Sequence, residues 1–227
     1  MLMGFSPPNP GAAAAKDFPV IASAASTTGF GTSLVCTVPS GIVAGDLLLL
    51  FVGGVAAPGL SPTIGASGWT SLYNKTNGNV VSYCFYKVAT GTNTITVTSS
   101  YSGDIRVYYL RITGASSPPQ AGVAVSGTGA TANPPSLTPS GGTDKYLWLT
   151  DLFVNNIAAG YTPNTTVPSG FTDQLENSSS GVYGESTQAT AKKTSEVSNL
   201  DPGTYGISSG LDAYNYYCVN TLAISPA

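Results

Sequence analysis

The fold is decided by an apolar run near the start of the chain, GDLLLLFV at residues 45–52. The run is continuous rather than alternating, which is typical of a strand that is buried on both of its faces. It is far shorter than the roughly 20 residues that a membrane-spanning helix needs. Residues 105–112 alternate instead, so that Ile105, Val107 and Tyr109 share one face of a strand. Both patterns predict β-strands, and a further alternation at residues 94–98, with Ile95 and Val97 on one face, predicts another.

The composition excludes several classes of protein. The chain has 227 residues, of which 42% are apolar and only 8% are charged, and it contains no histidine. Surface helices depend on Glu, Lys, Arg and Gln, so a helical protein is not expected. The apolar content is too high for a disordered polar chain, and the net charge of −3 disfavours nucleic-acid binding. The length fits one large β domain or two small ones.

A faint repeat links the two halves of the chain. The string VPSG at residues 38–41 precedes the first apolar run, and TPSG at residues 138–141 precedes a second one at residues 146–154. The string GWT at residues 68–70 corresponds to GFT at residues 170–172. Chance recurrence of Pro-Ser-Gly turns in a Ser- and Gly-rich chain is the alternative explanation. The fixed order of the matched features favours a pseudo-repeat.

Each half supplies about four strands, and together they predict an all-β fold. We expect a jelly-roll-like antiparallel β-sandwich built from two pseudo-repeated halves that share one core. The repeats are placed at about residues 33–115 and 133–225, within a single β-sandwich domain of residues 19–227. The Pro- and Gly-rich segment 118–142 is interpreted as a crossover between the halves rather than as a linker between two domains.

Residues 1–18 are predicted to form an extended N-terminal arm, because they are rich in Pro, Ala and Gly and have no periodic pattern. Phe5 and Phe18 are the apolar groups best placed to anchor this arm. The prolines that would hold it extended are Pro7, Pro8 and Pro10. We expect the arm to be clamped, either by a partner subunit or by the body of its own chain. It has no basic n-region and no apolar h-region, so a secretory signal is not expected.

A series of short motifs resembles a known family. The series includes GDLLL at residues 45–49, GWT at 68–70, YKVA at 86–89 and YYLRITGA at 108–115. It resembles a β-sandwich module of tailed-phage virion structural proteins that is also seen in some bacterial surface proteins, and it extends over residues 18–226. Because these motifs are turns and core strands, the resemblance implies a fold more directly than an activity.

The resemblance implies a non-enzymatic phage virion structural protein, either a capsid decoration or cement subunit or a surface appendage that stabilises the particle. It would be made in the host cytoplasm and lie at the virion surface. Its partners would be the major capsid protein or neighbouring subunits, in a homo-oligomer for which a trimer would suit. The alternative is an extracellular receptor- or glycan-binding module of a tail fibre or bacterial adhesin, with a host glycan as ligand. Neither role involves nucleic acid or membrane insertion.

Three motif matches could carry chemistry, and each lacks the context it needs. GISSG at residues 206–210 matches the nucleophile-elbow pattern, which needs a histidine that the chain lacks. GTGATA at residues 127–132 matches a dinucleotide loop, but the prolines that follow cannot open the required helix. The acidic pair Asp173 and Glu176 is best explained as a solvated strand end, and no D-x-D-x-D run indicates calcium. We therefore expect no enzyme activity, no catalytic residue, no metal site and no cofactor.

The aromatic residues divide into two groups. Those in strand patterns are assigned to the core: Trp69, Phe85, Tyr109, Trp148 and Phe153. Those in Gly- and Ser-rich segments are expected to be more exposed: Tyr101, Tyr161, Tyr183 and Tyr205. Exposed rings combine apolar area with a polar hydroxyl, which suits contacts with a protein partner or a glycan. Ordinary tyrosines at strand ends are the alternative.

The three cysteines, Cys36, Cys84 and Cys218, each lie inside an apolar or β-branched stretch. An odd number leaves at least one thiol unpaired. We predict buried free thiols, and a single disulfide is the alternative.

Overall fold

The computed structural model describes residues 16–91, 94–158 and 160–227, and nearly all of their regular structure is extended strand. The strands, in chain order, are β1 (Val20–Val35), β2 (Leu47–Ala56), β3 (Ile64–Ala66), β4 (Thr70–Asn77), β5 (Val80–Val88), β6 (Thr96–Thr113), β7 (Gln120–Ala121), β8 (Val125–Thr128), β9 (Thr131–Ala132), β10 (Asp144–Asn156), β11 (Asn164–Thr166), β12 (Thr172–Gly181), β13 (Gly184–Val197), β14 (Tyr205–Ser208) and β15 (Asn215–Ile224). A short 3-10 turn at Asp212–Tyr214 precedes β15.

Two antiparallel six-stranded sheets form the body, which confirms the predicted all-β sandwich. The first sheet has the strand order β1-β6-β2-β5-β4, with β3 beside β6. The second has the order β12-β13-β10-β15-β7, with β8 beside β15. A third, three-stranded sheet has the order β11-β14-β9.

The two large sheets share one strand order. In the first sheet β2 lies between β5 and β6, and in the second β10 lies between β13 and β15. β4 then flanks β5 as β12 flanks β13. This is the order that the predicted pseudo-repeat requires, and the pseudo-repeat itself stays a prediction. The jelly-roll connectivity is not confirmed, because each large sheet draws its strands from one half of the chain.

The central strand β2 is buried along its whole length, as the continuous apolar run predicts. Successive side chains of a strand point to opposite faces of the sheet. Leu48 and Leu50 therefore join a cluster on the outer face of the first sheet, whereas Leu49 and Phe51 join a cluster between the two sheets.

The strand β6 is longer than the sequence predicts, because two expected strands at residues 94–98 and 105–112 are one continuous strand. The polar residues between these two segments predict a break in the strand. In the structure β1 pairs with both parts of β6, up to Thr98 and again from Gly103. β3 pairs with residues 97–99 as well. These two neighbours pair with both ends of the polar stretch.

Three layers of apolar side chains hold the sandwich together. The cluster between the sheets contains residues of both halves, such as Leu49 and Tyr108 from the first and Leu149 and Leu222 from the second, so the predicted shared core is confirmed. Each half also has an outer cluster of its own. The outer cluster of the second half is covered by the third sheet, which contributes residues such as Ile207.

Gly53, in β2, permits the close approach of the two sheets. A Cβ atom at this position would overlap the ring of Phe153 in β10. Both residues lie on the inner faces of their sheets, near the ends where β2 and β10 finish. A side chain at residue 53 would therefore push the sheets apart.

Candidate functional site

The predicted arm lies mostly outside the described residues, and this includes Phe5, Pro7, Pro8 and Pro10. Its last residues contact the body. The Nζ atom of Lys145 lies 5.8 Å from the ring centroid of the half-buried Phe18, which is a cation–π distance. Lys16 Nζ donates to the carbonyl of Pro226 at 3.5 Å. These contacts hold the residues just before β1 against the start of β10 and the end of β15.

The structure separates the four tyrosines that were expected to be exposed. Tyr101 and Tyr161 are 42% and 40% exposed, as predicted. The prediction for Tyr205 is wrong, because this side chain is fully buried and its hydroxyl lies 2.7 Å from Thr150 Oγ1. Tyr205 belongs to β14, in the sheet that covers the outer face of the second sheet, and its Gly- and Ser-rich flanks conceal that pairing. Tyr183 is half-buried at the turn between β12 and β13.

The β12–β13 hairpin ends in a tip at residues 181–184 that reaches the first sheet. The backbone N–H groups of Val182 and Tyr183 donate to the carboxylate of Asp104 in β6, each at 3.4 Å. The ring centroids of Tyr183 and Phe30 lie 6.0 Å apart. These contacts connect the two sheets and hold Tyr183 in place.

Two clefts flank this hairpin tip. The first has a volume of about 450 Å³ and is lined by residues such as Phe30, Asp104 and Val182. The second, called the tip cleft here, has a volume of about 540 Å³. Its lining includes Pro58, Asn79, Ile157, Tyr183, Glu185 and Tyr216. Both volumes lie within the range of about 300–1,000 Å³ that is typical of small-molecule sites.

The polar side chains of the tip cleft are held by their neighbours. Glu185 is largely buried and accepts hydrogen bonds from Thr162 Oγ1 at 3.0 Å and from the N–H of Gly160 at 3.4 Å. Asn79 donates through Nδ2 to the carbonyl of Ala56 at 2.8 Å. Rotation of either side chain would break these bonds, so the cleft presents its oxygen atoms in fixed positions.

A buried polar cluster lies between the two large sheets, and it consists of Tyr73, Ser82, Asp151 and Gln188. Asp151 Oδ2 accepts hydrogen bonds from the hydroxyls of Tyr73 at 2.9 Å and Ser82 at 3.1 Å. Its Oδ1 accepts from Gln188 Nε2 at 3.2 Å. Tyr73 and Ser82 belong to the first sheet and the other two residues to the second. The cluster therefore holds the two sheets in one position relative to each other.

Burial perturbs the acid–base properties of this cluster. It raises the pKa of Asp151 from 3.8 to about 6, against the opposing effect of the three hydrogen bonds. It also raises the pKa of Tyr73 well above 10, and the nearby Asp151 carboxylate adds to this increase. A fully buried carboxyl cannot contact a substrate, so the cluster is a structural element.

The sequence indicates this cluster only by one unusual position. Asp151 is the single charged residue in the second apolar run, and alternation along β10 places it on the inner face between Leu149 and Phe153. No sequence motif indicated Glu185 or Tyr216, which the structure brings together with Tyr183. Their positions depend on how the loops meet.

The three thiols are free and buried, as predicted. Burial raises the pKa of Cys36 to about 11 and that of Cys218 to about 12. It raises the pKa of Cys84 well above its usual range, and Asp151 contributes to this effect. Because the thiolate is the reactive form, these cysteines are unsuited to nucleophilic chemistry.

The motif matches lie on strands and turns, and the side chain of Asp173 lies outside the described residues. Ser208, within the elbow-like string, is exposed in β14, and Ser209 donates its N–H to Asp212 Oδ1 at 3.0 Å. Glu176 is exposed on β12 and accepts from the N–H of Thr165 at 3.4 Å. No group of three His, Cys, Asp or Glu side chains within the described ranges could hold a metal ion. In the same part of the chain no helix has the length and apolar character to cross a membrane.

The outer edge of β1 is an open strand edge. β1 pairs with β6 on one side, and no strand among the described residues pairs with its other side. It contains no charged residue and no proline. Its exposed side chains include Val20, Phe30 and Val35.

No family model, curated protein or solved structure matches the chain. Its function is therefore inferred from the geometry of its own residues.

Proposed function

We propose that the chain is a non-enzymatic structural protein of a phage virion, a capsid decoration or cement subunit or a surface appendage, which joins neighbouring subunits through the outer edge of β1. The observation that carries this proposal is the length and chemistry of that edge. A strand edge presents a row of backbone N–H and C=O groups that can pair with a strand of another chain.

The central part of β1 suits such pairing. Residues 23–31 pair with β6 without interruption between two register shifts, and at about 3.4 Å per residue they span about 30 Å. Monomeric proteins usually protect an edge with Lys, Pro or bulges. The register shifts at the two ends of this stretch are bulges of this kind, but the stretch itself has neither Lys nor Pro.

The remaining features support a mechanical role. The chain has no histidine, and the carboxyl of Asp151 and the three thiols are buried. With 8% charged residues, its contacts would be mostly apolar and backbone-mediated, and salt would screen them little. The partner strand would come from a neighbouring copy or from the major capsid protein.

The first test is the location of the protein on density-gradient-purified particles, by mass spectrometry against the major capsid protein. Hundreds of copies per particle would support a decoration role, and a few to a few dozen copies would support an appendage. Absence from every particle fraction would overturn the virion proposal.

The second test places lysines on the edge. Ala22 and Ser26 are exposed on β1, so the double variant A22K/S26K should keep its fold and lose most of its copies on the particle. The matched control is T70K/S71K, at two exposed positions of β4 on the opposite edge of the same sheet. An equal copy number for the two variants would refute the role of β1.

A further inference from the structure

We infer that the tip cleft is a binding site for a neutral saccharide. The inference goes beyond the structural role proposed above and does not depend on it. It rests on three properties of the residues that line the cleft: their aromatic surface, their hydrogen-bonding groups and their charge.

Two tyrosines that pack against the apolar core provide the aromatic surface. Tyr183 and Tyr216 are partly buried and pack against an apolar cluster that contains Val55, Val80 and Phe153. Tyr183 is also held by its backbone contact with Asp104. Rings fixed in this way bind a ligand without losing side-chain entropy, which favours affinity. Their apolar faces suit the C–H faces of a pyranose ring.

The hydrogen-bonding groups of the cleft are mainly acceptors. Each carboxylate oxygen of Glu185 accepts one hydrogen bond, from Gly160 or from Thr162, and an ionised carboxylate offers about four acceptor positions. The amide oxygen of Asn79 and the hydroxyls of both tyrosines form no hydrogen bond with the described residues. Fixed acceptors beside aromatic rings match a ligand with several hydroxyl groups.

The charge of the lining excludes acidic ligands. Among the described residues that line the cleft, Glu185 alone carries a charge, so an anionic sugar would be repelled. A small organic cation would satisfy Glu185 but leave the Asn79 amide oxygen and the two phenols without partners. A neutral saccharide uses all of these groups. The volume of about 540 Å³ accommodates the end of a short oligosaccharide.

The probes for the test are maltotetraose, cellotetraose, laminaritetraose and mannotetraose, titrated into the full chain with calorimetry and saturation-transfer NMR as readouts. We expect at least one of them to bind. Tyr183→Ala should weaken that binding about tenfold, as loss of a central aromatic contact typically does. Tyr101→Ala is the matched control, because Tyr101 is an exposed tyrosine outside the cleft lining, and it should bind like the parent chain.

A second variant keeps the test valid if Tyr183→Ala fails to fold. Glu185→Gln preserves the shape of the side chain and removes its charge, and it should also weaken binding, because a hydrogen bond to a charged acceptor is stronger than one to a neutral acceptor. The inference is overturned if none of the four saccharides binds, if folded Tyr183→Ala and Glu185→Gln bind as tightly as the parent chain, or if tetramethylammonium binds in place of the saccharides.

Discussion

Replacing Asp151 with Asn should make the protein more stable at neutral pH and leave its stability at about pH 4 nearly unchanged. The carboxyl is fully buried between the sheets, and burial raises its pKa from 3.8 to about 6. A pKa that is higher in the folded state than in the unfolded state means that ionisation favours unfolding. The fold therefore loses stability as the pH rises from about 3.8 to about 6, and the loss persists above that range.

The size of the effect follows from the pKa difference. The change from 3.8 to about 6 corresponds to about 3 kcal/mol, at about 1.36 kcal/mol per pKa unit. Asparagine keeps the shape of the side chain, and its Oδ1 can still accept from Gln188. Its Nδ2 can donate to the hydroxyl oxygen of Tyr73 or Ser82, since a hydroxyl both donates and accepts. D151N should thus gain up to about 3 kcal/mol over the parent chain near pH 7.5.

The assay is urea unfolding of both proteins at several pH values between about 4 and 8, followed by tryptophan fluorescence. Glu196→Gln is the control, because Glu196 is an exposed carboxylate on β13, and surface substitutions of this kind change stability by less than about 0.5 kcal/mol. If the difference in unfolding free energy between D151N and the parent chain is the same at pH 4 and at pH 7.5, the argument from the buried carboxyl is refuted.

Two further predictions concern the core. In the folded protein, the three buried thiols should react slowly with an aromatic disulfide reagent at about pH 8, because burial raises their pKa values. In concentrated guanidinium chloride they should react rapidly. Fast reaction of the folded chain would contradict this prediction. Gly53→Ala should lower the free energy of unfolding by about 1–3 kcal/mol, because its Cβ would overlap the Phe153 ring. Adding Phe153→Leu should recover part of that loss in the same urea assay, and an unchanged midpoint for Gly53→Ala alone would show that the sheets adjust freely.

Local sequence patterns predict the individual strands of this protein better than their partners. The continuous run in β2 and the alternation in β6 indicate which faces are buried, and both are confirmed. The merging of two predicted strands into β6 was not predictable in this way, since it depends on β1 and β3, which pair with both ends of its polar stretch. The burial of Tyr205 was missed for a similar reason, because its Gly- and Ser-rich flanks resemble a surface loop.

The candidate sites depend even more on contacts between distant parts of the chain. Tyr183 was selected from the sequence as a ligand-contacting residue, and that role stays a prediction. The cleft beside it also requires Asn79, Ile157 and Tyr216, which come from three other segments. Asp151 stands out in its apolar run only as an exception to the pattern, and its partner Tyr73 lies 78 residues away.

The sequence by itself determined that this protein is an all-β sandwich with a shared core and buried thiols, because side-chain periodicity and composition are local properties that report directly on burial. Only the tertiary structure decided the strand order, the buried polar cluster and the tip cleft. Each of these arises where strands or loops far apart in the chain meet, and the free energy that selects such pairings belongs to the whole assembly of strands rather than to any one segment.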